Sequence, residues 1–137
     1  MSIQQPCFLS HGEKLQYADC YVELYLFPGG YFQMKLNVRA GDRFAGTNVS
    51  AGFALFDAQG APIVRSLFGM DEKDAVGLPP VARGFPPERT DTFCGVIPGD
   101  LMARAERVAV CIRPFGSPPD WQALQKRASE PKQVLLP

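Results

Sequence analysis

The chain has 137 residues, 46% of them hydrophobic, and its 14 basic and 14 acidic side chains cancel. That length and apolar content suffice for one core in a single domain over 1–137, with no signature of disorder. Lys and Arg are spread along the chain, so the concentrated basic surface that a nucleic-acid partner requires is not apparent. With 13 prolines and 13 glycines, short strands and frequent turns are favoured over a helical bundle.

The first seven residues carry no basic segment and no apolar run of signal-peptide length, and no stretch approaches a membrane span. A cytoplasmic location without membrane contact is the expectation. Cys7, Cys20, Cys94 and Cys111 form no CxxC pair, which argues against a zinc knuckle or a thioredoxin-like site. In a reducing compartment they read as small apolar residues on strands; in an exported protein two disulfides are the alternative. The sequon Asn48-Val49-Ser50 has meaning only in that exported case.

Taken in order, residues 3–9 read as a first strand whose Pro6 suits an edge. Residues 10–13, Ser-His-Gly-Glu, read as a turn. A β-hairpin over 20–39 follows. Cys20, Val22, Leu24 and Leu26 alternate with polar or aromatic residues, and so do Phe32, Met34, Leu36 and Val38. A loop at 28–30 sets Leu26 opposite Phe32, Leu24 opposite Met34, Val22 opposite Leu36 and Cys20 opposite Val38. Glu23 and Lys35 pair on the other face, as do Phe27 and Tyr31. A two-residue loop would mix the two faces. Pro28 starts the turn and Gly30 takes a left-handed conformation at its close.

A second hairpin is expected over 50–68, turning at 57–60 with Gly60 left-handed. Its register pairs Leu55 with Ile63 and Ala51 with Leu67, but sets Phe53 against Arg65. If buried, Arg65 needs a charge partner. Residues 69–90 read as a long irregular segment broken by two proline pairs. A strand at 92–97, a short helix to Ala105 capped by Asp100, and a strand at 107–113 follow. Val108, Val110 and Ile112 share one face of the last. A C-terminal helix at about 118–129 is expected to start from Ser117 with Pro118 in first position. Trp121, Leu124 and Ala128 form its buried stripe, Lys126 and Arg127 suit its negative end, and Pro131 stops it. The apolar tail 134–136 either adds a strand or contacts another chain.

The fold class read from this pattern is all-β: an antiparallel sandwich of about seven strands with one short helix and a C-terminal helix, a partly open barrel being the alternative.

No motif specifies a reaction. His11 is the only histidine, and with Ser10 and Glu13 it invites a hydrolase reading, but adjacent loop residues rarely assemble a triad and no GxSxG elbow is present. Asp71, Glu72 and Asp74 lack the EF-hand spacing, so no metal or cofactor is implied. Arg83, Phe85 and Arg89 in the proline-rich segment have the composition of a binding surface. Tyr21, Tyr25, Phe27 and Tyr31 form an aromatic stripe. It serves either as cross-strand packing, or as a face covered by the C-terminal helix, or as a protein interface such as a homodimer face. Two functional classes result. One is a protein-binding, inhibitory or accessory module acting through 69–90. The other is a small-ligand binder or enzyme with a carboxylate and arginine site built from residues such as Arg65, Asp71, Asp74 and Arg89. The thin supply of catalytic residue types favours the first. Convergence of His11 with carboxylates in one cleft would reverse that preference.

Overall fold

In the computed structural model the residues described are 3–15, 18–40, 47–64, 68–69, 76–78, 88–114, 117–129 and 134–135. Among them the strands are, in chain order, β1 (Cys7–Leu15), β2 (Ala18–Leu26), β3 (Tyr31–Ala40), β4 (Thr47–Phe56) and β5 (Phe68–Gly69). Then come β6 (Val76–Leu78), β7 (Glu88–Val96), helix α1 (Gly99–Met102), β8 (Arg107–Pro114), helix α2 (Trp121–Ala128) and β9 (Val134–Leu135). The fold is all-β. Among the described residues, two antiparallel sheets, neither closed, carry two short helices.

The large sheet has the order β7-β3-β2-β1-β9. At its centre the hairpin of β2 and β3 has the register read from the sequence: Leu26 faces Phe32, Leu24 faces Met34, Val22 faces Leu36, Cys20 faces Val38 and Glu23 faces Lys35. The turn closes with Gly30 N donating to Phe27 O at 2.8 Å, and Gly30 stands at φ 95°. The small sheet is built on β4. β8 pairs along one edge, while β5 and β6 divide the other.

The inner faces of the two sheets share one core. Val22, Leu24, Leu26, Met34 and Leu36 of the large sheet pack with Val49, Phe53, Leu55, Val110 and Ile112 of the small one. Phe32 bridges them, its ring edge-on to Phe53 at 4.8 Å. The Phe32 ring occupies the space that a Cβ on Gly95, its cross-strand partner, would take. Ile97, Met102 and Ala105 close one end of this core. The outer face of the small sheet is also apolar. There Ala54, Phe56, Ala109 and Cys111 pack against Leu124, Ala128 and Trp121 of α2, the stripe expected from helical spacing.

Several local expectations are corrected. Residues 10–13 are not a turn: β1 runs through them, paired with β2 from Cys7↔Leu26 to Leu15↔Ala18. A ladder nine residue pairs long outweighs the turn propensity of Ser10 and Gly12. The second hairpin turns as expected, with Gly60 at φ 83° and Ile63 N donating to Leu55 O at 2.9 Å. Farther along, Phe53 pairs with Phe68, which departs from the expected register; Arg65 and Leu67 lie outside the described residues. Within the stretch 69–90, Gly69 belongs to β5, Val76–Leu78 form β6 and Glu88–Thr90 open β7; residues 70–75 and 79–87 lie outside the described residues. Asp100 does not cap α1. Pro98 holds the N-cap position without a side-chain bond, and Asp100 stands in the first turn. In α2 the cap is Asp120, whose Oδ1 accepts from Ala123 N at 3.2 Å. Ser117 and Pro118 are excluded from the helix because Pro118 and Pro119 each drive the preceding residue to extended geometry. The C-terminal tail does add a strand, β9 on β1. All four cysteines are free; Cys7, Cys20 and Cys111 are buried, whereas Cys94 is exposed on β7.

Two substitutions test this arrangement. Gly30→Val places a β-branched side chain at positive φ and drives its Cβ into the Ile97 carbonyl; the expected loss is about 2 kcal/mol or more in denaturant unfolding. Asp120→Ala removes the α2 cap and should cost about 1 kcal/mol, while Ser117→Ala should stay within about 0.5 kcal/mol of wild type. Equal losses for those two would overturn the cap assignment.

Candidate functional site

Cross-strand neighbours in an antiparallel pair share a face. His11 lies opposite Val22 and Glu13 opposite Cys20, so β1 carries both polar residues on the side of the sheet that elsewhere is core. On β8 the alternation runs the other way. Val108, Val110 and Ile112 point into the inter-sheet core, while Ala109 and Cys111 meet α2, and Arg113 continues that outward row. The side chains of β1, the end of β8 and α2 therefore meet at one rim. α2 is held there by its apolar stripe and by Gln125, whose Nε2 donates to Gly60 O at 3.0 Å.

The rim encloses an open cleft of about 500 Å³, a volume typical of small-ligand sites. Its polar lining comes from His11, Glu13, Arg113, Asp120, Lys126 and Arg127, and Leu15, Pro118, Pro119 and Ala123 supply apolar wall. The cations outnumber the carboxylates, and the carboxylates are engaged. Glu13 Oε2 lies 3.7 Å from His11 Nε2, and Asp120 caps α2. Arg113 donates from Nη1 to Ser117 O at 2.7 Å. Its Nε, and that of Arg127, are buried with no hydrogen-bond partner among the described residues.

These charges act on one another. Burial pulls the His11 imidazole below the ordinary histidine value, and the Arg127 guanidinium pulls it further down; Glu13 opposes both. Burial pushes the Cys111 thiol up, against the pull of Arg113 and Arg127. Cys20, more remote on β2, is pushed up to about 11 by burial. Buried thiols of this kind stay protonated near neutral pH. Among the described residues, no cluster of His, Cys, Asp and Glu has the makings of a metal site.

The residues singled out from the sequence are distributed differently. Arg83 and Phe85 lie outside the described residues, as do Arg65, Asp71 and Asp74. Arg89 is on β7, where its Nε lies 3.0 Å from Asp91 Oδ2. The tyrosines occupy the outer face of the large sheet, away from the cleft. Tyr25 packs against Phe8 with tilted rings 4.8 Å apart, and Tyr31 against Phe27 with tilted rings 5.8 Å apart. Tyr21 and Tyr31 remain 41% and 44% exposed, and Val96, opposite Tyr31, is 70% exposed. α2 and Trp121 do not cover this stripe, because they dock on the small sheet. Sequence reasoning missed Arg113, Asp120 and Arg127 as site residues. The signal for Arg113 was its place in the outward row of β8, and for Arg127 its place beside the buried stripe of α2.

The sign of the His11 effect sets a pH dependence. Its folded value is lowered, so the unfolded chain binds the proton more readily. The stability gained by keeping His11 neutral is complete above the unfolded value and is lost as pH falls through the folded one. Wild type should lose more thermal stability than His11→Gln on going from about pH 7 to about pH 5; carboxylate titration is common to both, and an equal loss would overturn the assignment. No family model, curated protein or solved structure matches this chain.

Proposed function

We propose that the protein binds a small anionic ligand, a carboxylate or phosphate, in the cleft between β1, β8 and α2. The observation that carries this reading is the convergence of Arg113, Lys126 and Arg127 on one cleft whose two carboxylates are already engaged with His11 and with the α2 cap. An anion in the cleft would be held by charge-assisted hydrogen bonds, for which the guanidinium fork is well shaped. The convergence of His11 with Glu13 and Asp120 moves the balance from a loop-based protein-binding module towards a ligand site. The protonated Cys111 offers no activated nucleophile, so the reading is binding and not covalent catalysis.

A second reading, a protein-binding module, is favoured by the exposed Phe27, Tyr31 and Val96 at one end of the outer face. Another protein, or a second copy of the chain in a homodimer, is the partner class, and the 69–90 segment with Arg83 and Phe85 belongs to the same reading.

Thermal denaturation with inorganic phosphate or acetate, against sodium chloride of equal ionic strength, distinguishes the two. The expected result is an anion-specific rise in the melting temperature of wild type that is concentration-dependent. Arg127→Gln should weaken the apparent affinity about tenfold or more. It is a cleaner variant than one at Arg113, which also holds the Ser117 carbonyl. No anion-specific effect in wild type would sink the cleft reading and leave the protein-binding one.

A further inference from the structure

The cleft holds the protein's only histidine, and its surroundings make the imidazole sensitive to whatever occupies the arginines. Glu13 on the same strand lies 3.7 Å away. On β2 the cross-strand neighbour is the uncharged Val22. From β8 the cleft receives Arg113 and Cys111, and from α2 it receives Asp120, Lys126 and Arg127. Of these, Glu13 favours a proton on His11, while Arg127 opposes it. Burial is the main influence against the proton and Arg127 adds to it; the Nε of Arg127 has no hydrogen-bond partner among the described residues.

Resting on the anion-binding reading, we infer that His11 couples ligand capture in this cleft to proton uptake, so that the anion is held in mildly acidic surroundings and released as pH rises. The argument is electrostatic and local. An anion seated on Arg127 cancels the positive charge that faces the imidazole and adds a negative charge to the same small space. Both changes favour imidazolium, and the proton comes from solvent. Linkage is reciprocal, so whatever the anion does to the proton affinity of His11, the proton does to the affinity for the anion. The cleft would thus bind through fixed guanidinium charges and be tuned by the one side chain that changes charge near neutrality.

The sulfate ion is a suitable probe because it keeps its charge throughout the relevant range. Proton NMR of the imidazole C2–H, which a single histidine makes unambiguous, is followed against pH with saturating sulfate and with sodium chloride of equal ionic strength. The arginine Nε–H resonances are recorded in parallel to report occupancy. The expected result is a rise of about one unit in the His11 midpoint with sulfate, and about tenfold tighter sulfate binding at about pH 5.5 than at about pH 8. His11→Gln should bind sulfate with an affinity that no longer follows pH across that window. If the arginine resonances respond to sulfate but the histidine midpoint does not move, the proton coupling is overturned and the anion cleft stands. The coupling is likewise overturned if His11→Gln keeps the wild-type pH dependence. If neither arginine nor histidine responds at any pH, both are overturned.

Discussion

The four residues from Phe27 to Gly30 constrain nearly everything else in this fold. A turn of this length, closed by a left-handed glycine at φ 95°, fixes which side chains of β2 and β3 face each other. A slip of one residue would send the whole dry face of the hairpin to solvent. Gly30 also accepts from Ile97 N at 2.9 Å, and its missing Cβ leaves room for the Ile97 carbonyl and the Met102 side chain. The same turn therefore sets the end of β7 and the seat of α1. β1 then adds to β2 in register, and its inward positions follow from those of β2. The placement of His11 and Glu13 is a distant consequence of the turn.

The small sheet poses a different problem, because it is apolar on both faces. One face meets the large sheet, and the other must be covered by something else. α2 supplies that cover. Ala54, Ala109 and Cys111 are small enough to let the helix approach, while Phe56 and Leu124 fill the space between. This close seating ends where the β8 row passes from Cys111 to Arg113 and the helix surface from Leu124 to Ala123 and Arg127. Burial of a side chain such as Leu124, worth about 2 kcal/mol, holds the helix in place. The cleft is the margin of that contact and not a separate construction.

Much of the architecture was legible in the sequence because local and global signals agreed. The β2–β3 hairpin combined strict alternation with a turn whose residues demand one loop length, and its register was readable pair by pair. The stripe of α2 and the inward row of β8 were legible for the same reason. The candidate site was not. Cys7, Leu9 and Leu15 do keep a period of two across β1, but His11 and Glu13 occupy the intervening inward positions. With Ser10 and Gly12 beside them, the stretch has the composition of a turn. Arg113 and Arg127 looked like ordinary polar residues at the margin of apolar rows. What brings them together is the docking of a helix onto a strand, a long-range event without a local signature. The capping residue was missed for a smaller reason: Ser117 matched a motif, but two consecutive prolines made it unusable.

The disagreement between β1 and the rest of its sheet locates the site. Local rules hold along β2, β3 and β8, and they fail at two positions of β1 that should be apolar. Such failures are expected where a sequence serves something other than packing. With apolar residues at 11 and 13, the rim of β1 would be suited to close against β8 and α2, as the rest of the inner face closes on its partners. An imidazole and a carboxylate resist that closure because neither is buried cheaply. They keep the margin open to solvent, at 27% and 44% side-chain exposure, so that Arg113 and Arg127 line an open cleft. The polar pair therefore does two things at once. It prevents the core from extending over the rim, and it supplies an imidazole, the side chain best suited to change charge near neutral pH, beside the cations of β8 and α2.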